Sequence, residues 1–323
     1  AFEWANGRAQ RLQGAMTVPF SARRHWRLQR VPMRARQRAF TLVELIVAIT
    51  VSSIVVGFIA LFIVTPVNSY FAQTRRAELG DSADRAMRSM ATDVRFALPE
   101  SVRVGLNGPS IAVLELLLTV DVARYRKAPS STGDANRDLT IGAVDQDFST
   151  LGVFSRLPHP FDSTRHYLVI GHGTAPPNSA YALTRVITPV GTPIHIDSDT
   201  TMGVHDEDHI RLTNPFNFRA DSPTGSVFLV QGPVAYLCNT TAHTLTRYWG
   251  YTIASSITAR NSAAKLNAAG ASSALVARDV ATCAMDPRPG KDGHGGLVSV
   301  RITLSRSGES LQVFQQIPVE SLP

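Results

Sequence analysis

The chain has 323 residues, with 32 Lys+Arg against 25 Asp+Glu and a formal net charge of +7. Residues 1–39 contain nine Arg, no Lys and one acidic residue, so 23 basic and 24 acidic residues remain for 40–323. Because the excess positive charge is confined to the N-terminal end, the body of the chain lacks the composition of a nucleic-acid-binding domain. Two cysteines are too few for a disulfide scaffold or a four-thiolate zinc site.

An apolar run fills residues 42–64 and contains one charged side chain, Glu44. A helix of this length spans about 34 Å at 1.5 Å per residue, which exceeds the ~30 Å hydrocarbon core of a bilayer. Arg34, Arg36 and Arg38 precede the run, so the positive-inside rule predicts a cytoplasmic N-terminus and an exported C-terminal body. The run is too long for an ordinary cleaved signal peptide, and no small-x-small cleavage site follows it.

Glu44 is a carboxylate about one turn into this apolar run. A charge inside a membrane segment is costly and indicates a function by default. The alternative is that Glu44 lies at the headgroup edge and extends its carboxylate into water.

The octapeptide Arg38-Ala-Phe-Thr-Leu-Val-Glu-Leu45 resembles the class III signal of type IV pilins and pseudopilins. The resemblance implies that prepilin peptidase cuts between Ala39 and Phe40 and that the new Phe40 amine is methylated. Glu44 would then pair with the N-terminal amine of a neighbouring subunit as it enters a filament. The family usually has glycine before the cut, where this chain has Ala39, which is still a small residue.

The resemblance also implies that residues 1–39 are a leader that is removed. This leader is long for the family. A start at Met33 would give a typical seven-residue leader, so residues 1–32 are expected to be an over-extended start.

A single helix is predicted from Phe40 to Leu98, with a transmembrane and filament-core part at 40–65 and an amphipathic part at 66–98. Pro66 is expected to kink or locally break it, and Pro99 to stop it. Apolar residues recur at three- and four-residue spacing in the second part: Leu79, Ala83, Ala86, Met90, Val94 and Ala97. The charged residues between them, Asp93 included, are interpreted as a solvated face.

Residues 99–323 have a strand-like pattern and are predicted to form a periplasmic domain. The fold class is therefore α+β: a long N-terminal helix packed on a C-terminal antiparallel β-rich domain. A surface loop or short helix is expected at 259–277. The predicted strands are Ser110–Leu118, Tyr167–Gly171, Ala182–Thr188, Ser226–Cys238, Thr244–Thr252, Leu297–Leu304 and Leu311–Pro318, the last two forming a terminal hairpin.

Cys238 and Cys283 are the two cysteines of the chain. If the body is periplasmic, an oxidised pair is expected. Two separate free thiols are the alternative.

Three further stretches, 97–103, 232–238 and 245–251, are similar to minor pilin-like proteins of the mannose-sensitive haemagglutinin (MSHA) pilus system. More distantly, they resemble the J-type pseudopilins of type II secretion. The resemblance implies four partners: prepilin peptidase, other pilins or pseudopilins through the N-terminal helix, the inner-membrane assembly platform and the lipid bilayer. It also implies a single-pass inner-membrane protein that later joins a pilus or pseudopilus.

The sequence contains no P-loop, no G-x-S-x-G elbow and no C-x-x-C, which favours a non-catalytic protein without a cofactor. Two weak metal-site candidates remain. The first is His205, Asp206, Asp208 and His209, which otherwise form an exposed acidic turn. The second imitates an EF-hand loop but has Leu139 where glycine is needed; its acidic and amide residues are Asp134, Asn136, Asp138 and Asp145.

An adhesive binding module is the competing function from another class. Its aromatic candidates are Tyr248, Trp249 and Tyr251. The alternative for these residues is packing in the core or in a hairpin.

Overall fold

A computed structural model of the chain describes residues 40–128, 137–198, 207–290 and 295–320. The chain divides into two compact units between Phe62 and Ile63. Helix α1 covers Leu42–Arg95, so the predicted long helix is confirmed, but it continues through Pro66 without the local break that was one of the two expectations there. The other elements are β1 (Arg103–Asn107), β2 (Ile111–Tyr125), β3 (Asp145–Leu151), β4 (Phe161–Ser163), β5 (Tyr167–Val169), β6 (Ile194–Ser198), β7 (Asp208–Phe216), β8 (Ser226–Asn239), β9 (Thr244–Trp249), α2 (Ala263–Ala268), β10 (Ser272–Arg278), β11 (Val280–Arg288), β12 (Leu297–Arg306) and β13 (Glu309–Pro318).

The strands of the second unit form two antiparallel sheets. The larger sheet has the order β10-β9-β8-β2-β3-β7-β6-β4, and β1 and β5 pair with β2 and β8 away from this path. The smaller sheet has the order β11-β12-β13. The long central pair β2–β8 runs from Ile111 opposite Asn239 to Arg124 opposite Ser226. The predicted α+β class with an antiparallel β-rich domain is therefore confirmed.

The main core of the second unit lies between the C-terminal part of α1 and both sheets. Met90 and Val94 of α1 are fully buried there, together with Leu116 and Tyr236 of the central pair and Val300 of β12. The three- and four-residue spacing of apolar residues on α1 produces this buried stripe, because such residues share one face of a helix. Alternation in β12 buries its apolar residues on the same core.

The predicted strand at Ala182–Thr188 is wrong. The structure has a 3₁₀ turn at Ala180–Ala182, and Leu183 after it adopts a left-handed conformation with φ 52°. The turn and the left-handed Leu183 interrupt the extended backbone, and one isolated bridge, from Ile187 to Val169, is found where the ladder was expected. The prediction at 259–277 is right for α2 but omits β10, which begins at Ser272.

Candidate functional site

Thr41 caps the N-terminal end of α1. Its hydroxyl accepts a hydrogen bond from the Glu44 backbone N–H at 3.2 Å, and its carbonyl accepts one from Leu45 N–H at 3.1 Å. Thr41 therefore acts as the N-cap, and Glu44 occupies the third helical position, as in a capping box. The Glu44 side chain is exposed in the first turn of α1, where the helix dipole favours a negative charge.

The side chains of residues 42–62 expose a continuous apolar surface. Its large hydrophobic side chains are between 48% and 75% exposed. The hydroxyls of Thr50 and Ser53 donate to the carbonyls of Val47 and Ile49, so their polar atoms are satisfied inside the helix. A surface of this kind requires lipid or another apolar partner. Among the described helices, α1 is the one long and apolar enough to cross a membrane.

A buried polar cluster joins the C-terminal part of α1 to the large sheet. Arg247 Nε donates to Asp93 Oδ2 at 2.6 Å, and Tyr236 O–H donates to the same oxygen at 2.7 Å. Ser89 lies 2.9 Å from the Tyr236 hydroxyl. Burial opposes the charge on Arg247, but the hydrogen bonds that it donates to Asp93, together with the negative charge of that carboxylate, prevail and raise the pKa of the guanidinium. The prediction that Asp93 belongs to a solvated face is wrong, since this residue is 8% exposed.

A second polar cluster surrounds Glu115, which is completely buried in β2. Arg103 Nε donates to Glu115 Oε2 at 2.6 Å, and Tyr251 O–H donates to Oε1 at 2.9 Å. The guanidinium also donates to the carbonyls of Ala254 and Ser255 and lies 3.5 Å from the centre of the Tyr181 ring. Burial outweighs the charge of Arg103 and raises the pKa of Glu115. This cluster was not predicted from the sequence, because its members lie on separate segments of the chain.

Cys238 and Cys283 are joined by a disulfide, with their Cα atoms 6.5 Å apart. Cys238 is buried in β8 of the large sheet, and Cys283 lies in β11 of the small sheet. The bond therefore links the two sheets directly beside the core that also contacts α1.

Replacing both cysteines with alanine is expected to lower the free energy of unfolding by up to about 4 kcal/mol, because the bond closes a loop with a sequence separation of 45. Thermal unfolding of the full chain in detergent measures the loss. As a control, a reductant should lower the melting temperature of the unmodified protein and leave that of the double variant unchanged. A similar response of both proteins would contradict the prediction.

The weak metal candidates are only partly within the described residues. His205, Asp206, Asp134 and Asn136 lie outside them. Asp208 is buried and accepts hydrogen bonds from Phe154 N–H at 2.7 Å and, through the same oxygen, from His159 at 3.0 Å. Asp145 accepts hydrogen bonds from the backbone N–H groups of Thr140 and Gln146, so its carboxylate stabilises the local backbone around it. Across the described ranges, no group of three or more His, Cys, Asp or Glu side chains is placed to hold a metal ion.

The three aromatic candidates occupy different environments. Tyr248 and Tyr251 are buried in one core cluster with Val113 and Leu237. Trp249 is half-buried and has the Arg247 guanidinium 5.1 Å from its ring centre. Trp249 is thus the member of the set that reaches the surface.

The comparisons with known proteins find one family match, and it lies in the N-terminal segment. Residues 34–60 match the family described as the prokaryotic N-terminal methylation motif. No significant match was found among curated proteins or among solved structures. The match includes Ala39, Phe40 and Glu44 and extends into the exposed apolar part of α1. It supports a pilin-like or pseudopilin subunit, and hence a structural protein that is anchored in a membrane and assembled with other pilins.

Proposed function

We propose that the chain is a minor pilin or pseudopilin subunit that prepilin peptidase cuts between Ala39 and Phe40 and methylates on the Phe40 amine. The observation that carries the proposal is the methylation motif at residues 34–60, located where the exposed apolar helix begins. Thr41 caps that helix, so the backbone beyond Phe40 is already ordered for a new N-terminus. The leader at 1–39 would be discarded.

In this proposal, residues 40–65 first span the inner membrane and then pack into a filament core, with 66–98 continuing the helix. The basic residues before the span would retain the N-terminus in the cytoplasm, which places residues 99–323 in the periplasm. In lipid, the carboxylate of Glu44 and the amine of a neighbouring Phe40 are each costly alone, and pairing them removes most of both costs. The partners are prepilin peptidase, other pilins, the assembly platform and the bilayer.

The finer assignment is an MshO-like component of an MSHA-type pilus in a priming or tip role. The similarity of residues 97–103, 232–238 and 245–251 to that group supports it. Residues 40–323 alone exceed the length of a typical major pilin, which suits a low-copy component. A pseudopilin of type II secretion is the alternative within the family, and the identity of the neighbouring genes distinguishes the two.

Mass spectrometry of the N-terminus tests the processing step. Co-expression with a prepilin peptidase is expected to give a protein that starts at Phe40 and carries one added methyl group. The variant Ala39→Glu places a bulky charge next to the cut and should remain uncleaved. A mature N-terminus at any other residue, or efficient cleavage of Ala39→Glu, would contradict the proposal.

A further inference from the structure

A gap in the large sheet opens a cleft in the second unit. On the edge of β8 opposite β2, β5 pairs with residues 228–230 and β9 pairs with residues 234–239. Residues 231–233 of β8 therefore have no strand beside them on that edge among the described elements. The cleft at this gap has a volume of about 790 Å³, within the ~300–1,000 Å³ of small-molecule sites.

Local sequence explains why the sheet is interrupted there. The register between β2 and β8 shifts so that Leu118 faces Gly232 and Thr119 faces Val230, which leaves Gln231 as the extra residue of a bulge. Gly232 has φ +134°, outside the range that other residues readily adopt. Pro233 has no N–H to donate to a ladder. The bulge leaves the Gln231 side chain exposed in the cleft lining.

The walls of the cleft combine aromatic surfaces with cationic and neutral polar groups. Trp249, opposite Val234, and Tyr167, opposite Val230, stand at the two ends of the gap. Arg165, His166 and Arg247 also line the cleft, and its described lining contains no Asp or Glu.

The three basic side chains differ in what they contact. Arg247 is held by Asp93, and His166 is bonded to Ser163 at 2.6 Å. Burial lowers the pKa of His166, which favours its neutral form. The Arg165 side chain is exposed and forms no ion pair with any residue in the described ranges. It is therefore the cation available to a ligand.

We infer that this cleft binds an oligosaccharide that carries a carboxylate, a role that goes beyond filament assembly. The indole of Trp249 provides the apolar face on which a pyranose ring stacks, as amphipathic rings do at recognition sites. Gln231 and those backbone groups of residues 231–233 that face the gap supply hydrogen bonds to sugar hydroxyls. The guanidinium of Arg165 pairs with the carboxylate.

The intrinsic fluorescence of Trp249 offers a direct test. The chain has three tryptophans, Trp4, Trp26 and Trp249, and the first two lie in the leader. In the processed full chain in detergent, the tryptophan emission would therefore come from Trp249 alone. The variant Trp249→Phe checks this separately: residual tryptophan emission would reveal an uncleaved leader, which concerns processing and not binding.

The titration compares 3′-sialyllactose, trigalacturonic acid, neutral lactose and triglutamate, an acidic peptide that carries no sugar. A saturable change of emission is expected with at least one acidic sugar. Which of the two acidic sugars saturates shows whether the cleft prefers the carboxylate of a sialic acid or that of a uronic acid. Binding of that sugar should weaken roughly tenfold in Arg165→Gln, the loss of one charge-assisted contact, and should be unchanged in the control Arg301→Gln on β12. The inference is overturned if neither acidic sugar saturates, if lactose binds equally well, if Arg165→Gln has no effect, or if triglutamate alone binds.

Discussion

Glu44→Val is expected to abolish incorporation of the protein into filaments while leaving its helix in the membrane. The substitution removes the one charged side chain of the apolar run at 42–64, which lowers the cost of insertion by about 2.5–3.5 kcal/mol if the residue lies deep in the bilayer. Insertion should therefore be at least as efficient as before. Under the proposed pairing, assembly should fail because the methylated amine of the neighbouring subunit would lose its counter-charge in an apolar filament core.

Two further substitutions separate the charge from other effects. Glu44→Gln has nearly the same shape without the charge, so it should fail like Glu44→Val. The Thr41 cap is made to the backbone N–H of residue 44 and survives both changes. Ser53→Val is the matched control in the same helix and should assemble normally, because within the described part of the chain the Ser53 hydroxyl bonds the Ile49 carbonyl and no other group.

The measurement is the amount of protein in sheared filaments relative to the amount in carbonate-washed membranes. Wild-type levels in sheared filaments for Glu44→Gln would overturn the pairing of charges. Loss of the protein from washed membranes in Glu44→Val would show that the residue acts in insertion and not in assembly.

The elements with extended apolar signals could be predicted from the sequence. Apolar residues recur every three or four positions in the second part of the long helix and alternate in β12 and β13, whereas β8 is a nearly continuous apolar run. Asp93 shows the limit of assigning every charged residue of α1 to the solvated face. It lies three residues after Met90 and four before Ala97, so helical spacing places it on the buried face, and Arg247, 154 residues later, supplies its counter-charge. A helical charge pattern contains no information about a partner on a distant strand.

The missed strands have weaker or shorter signals. Ile194 and Ile196 alternate with polar residues in β6, as Ile210 and Leu212 do in β7. This alternation was the sequence signal for two half-buried strands. Nearby prolines and polar loops obscured both. β10 lies at the edge of the large sheet and exposes most of its side chains. Its position depends on backbone pairing with β9, and its residues show no apolar alternation that would predict a strand.

The buried Glu115 is the reason to expect a large loss of stability in Arg103→Met. Removing the guanidinium leaves a completely buried carboxylate without its counter-charge. The free energy of unfolding at neutral pH should fall by about 3–5 kcal/mol, as when one partner of a buried ion pair is removed. In contrast, Arg306→Met breaks an exposed pair with Glu78 at 3.1 Å and should cost less than about 1 kcal/mol.

The pH dependence distinguishes a buried charge from lost packing. The pKa of Glu115 is already raised in the folded protein because burial outweighs Arg103, and without Arg103 it should rise further. A carboxyl group with a raised folded pKa contributes stability below its unfolded pKa of 4.5 and loses it as the pH rises through the folded value. Arg103→Met should therefore recover part of its loss as the pH falls from 7.5 towards 5. Denaturant unfolding of the full chain in detergent at both values measures this recovery.

The double variant Arg103→Met/Glu115→Gln completes the test. A glutamine at 115 is neutral and can still accept the hydrogen bond that Tyr251 donates at 2.9 Å. The double variant should regain much of the stability lost in Arg103→Met, and its free energy of unfolding should no longer vary between the two pH values. If the double variant is as unstable as the single one at both pH values, the loss comes from the contacts of Arg103 with Tyr181 and the carbonyls of Ala254 and Ser255. In that case the charge of Glu115 is not what Arg103 compensates.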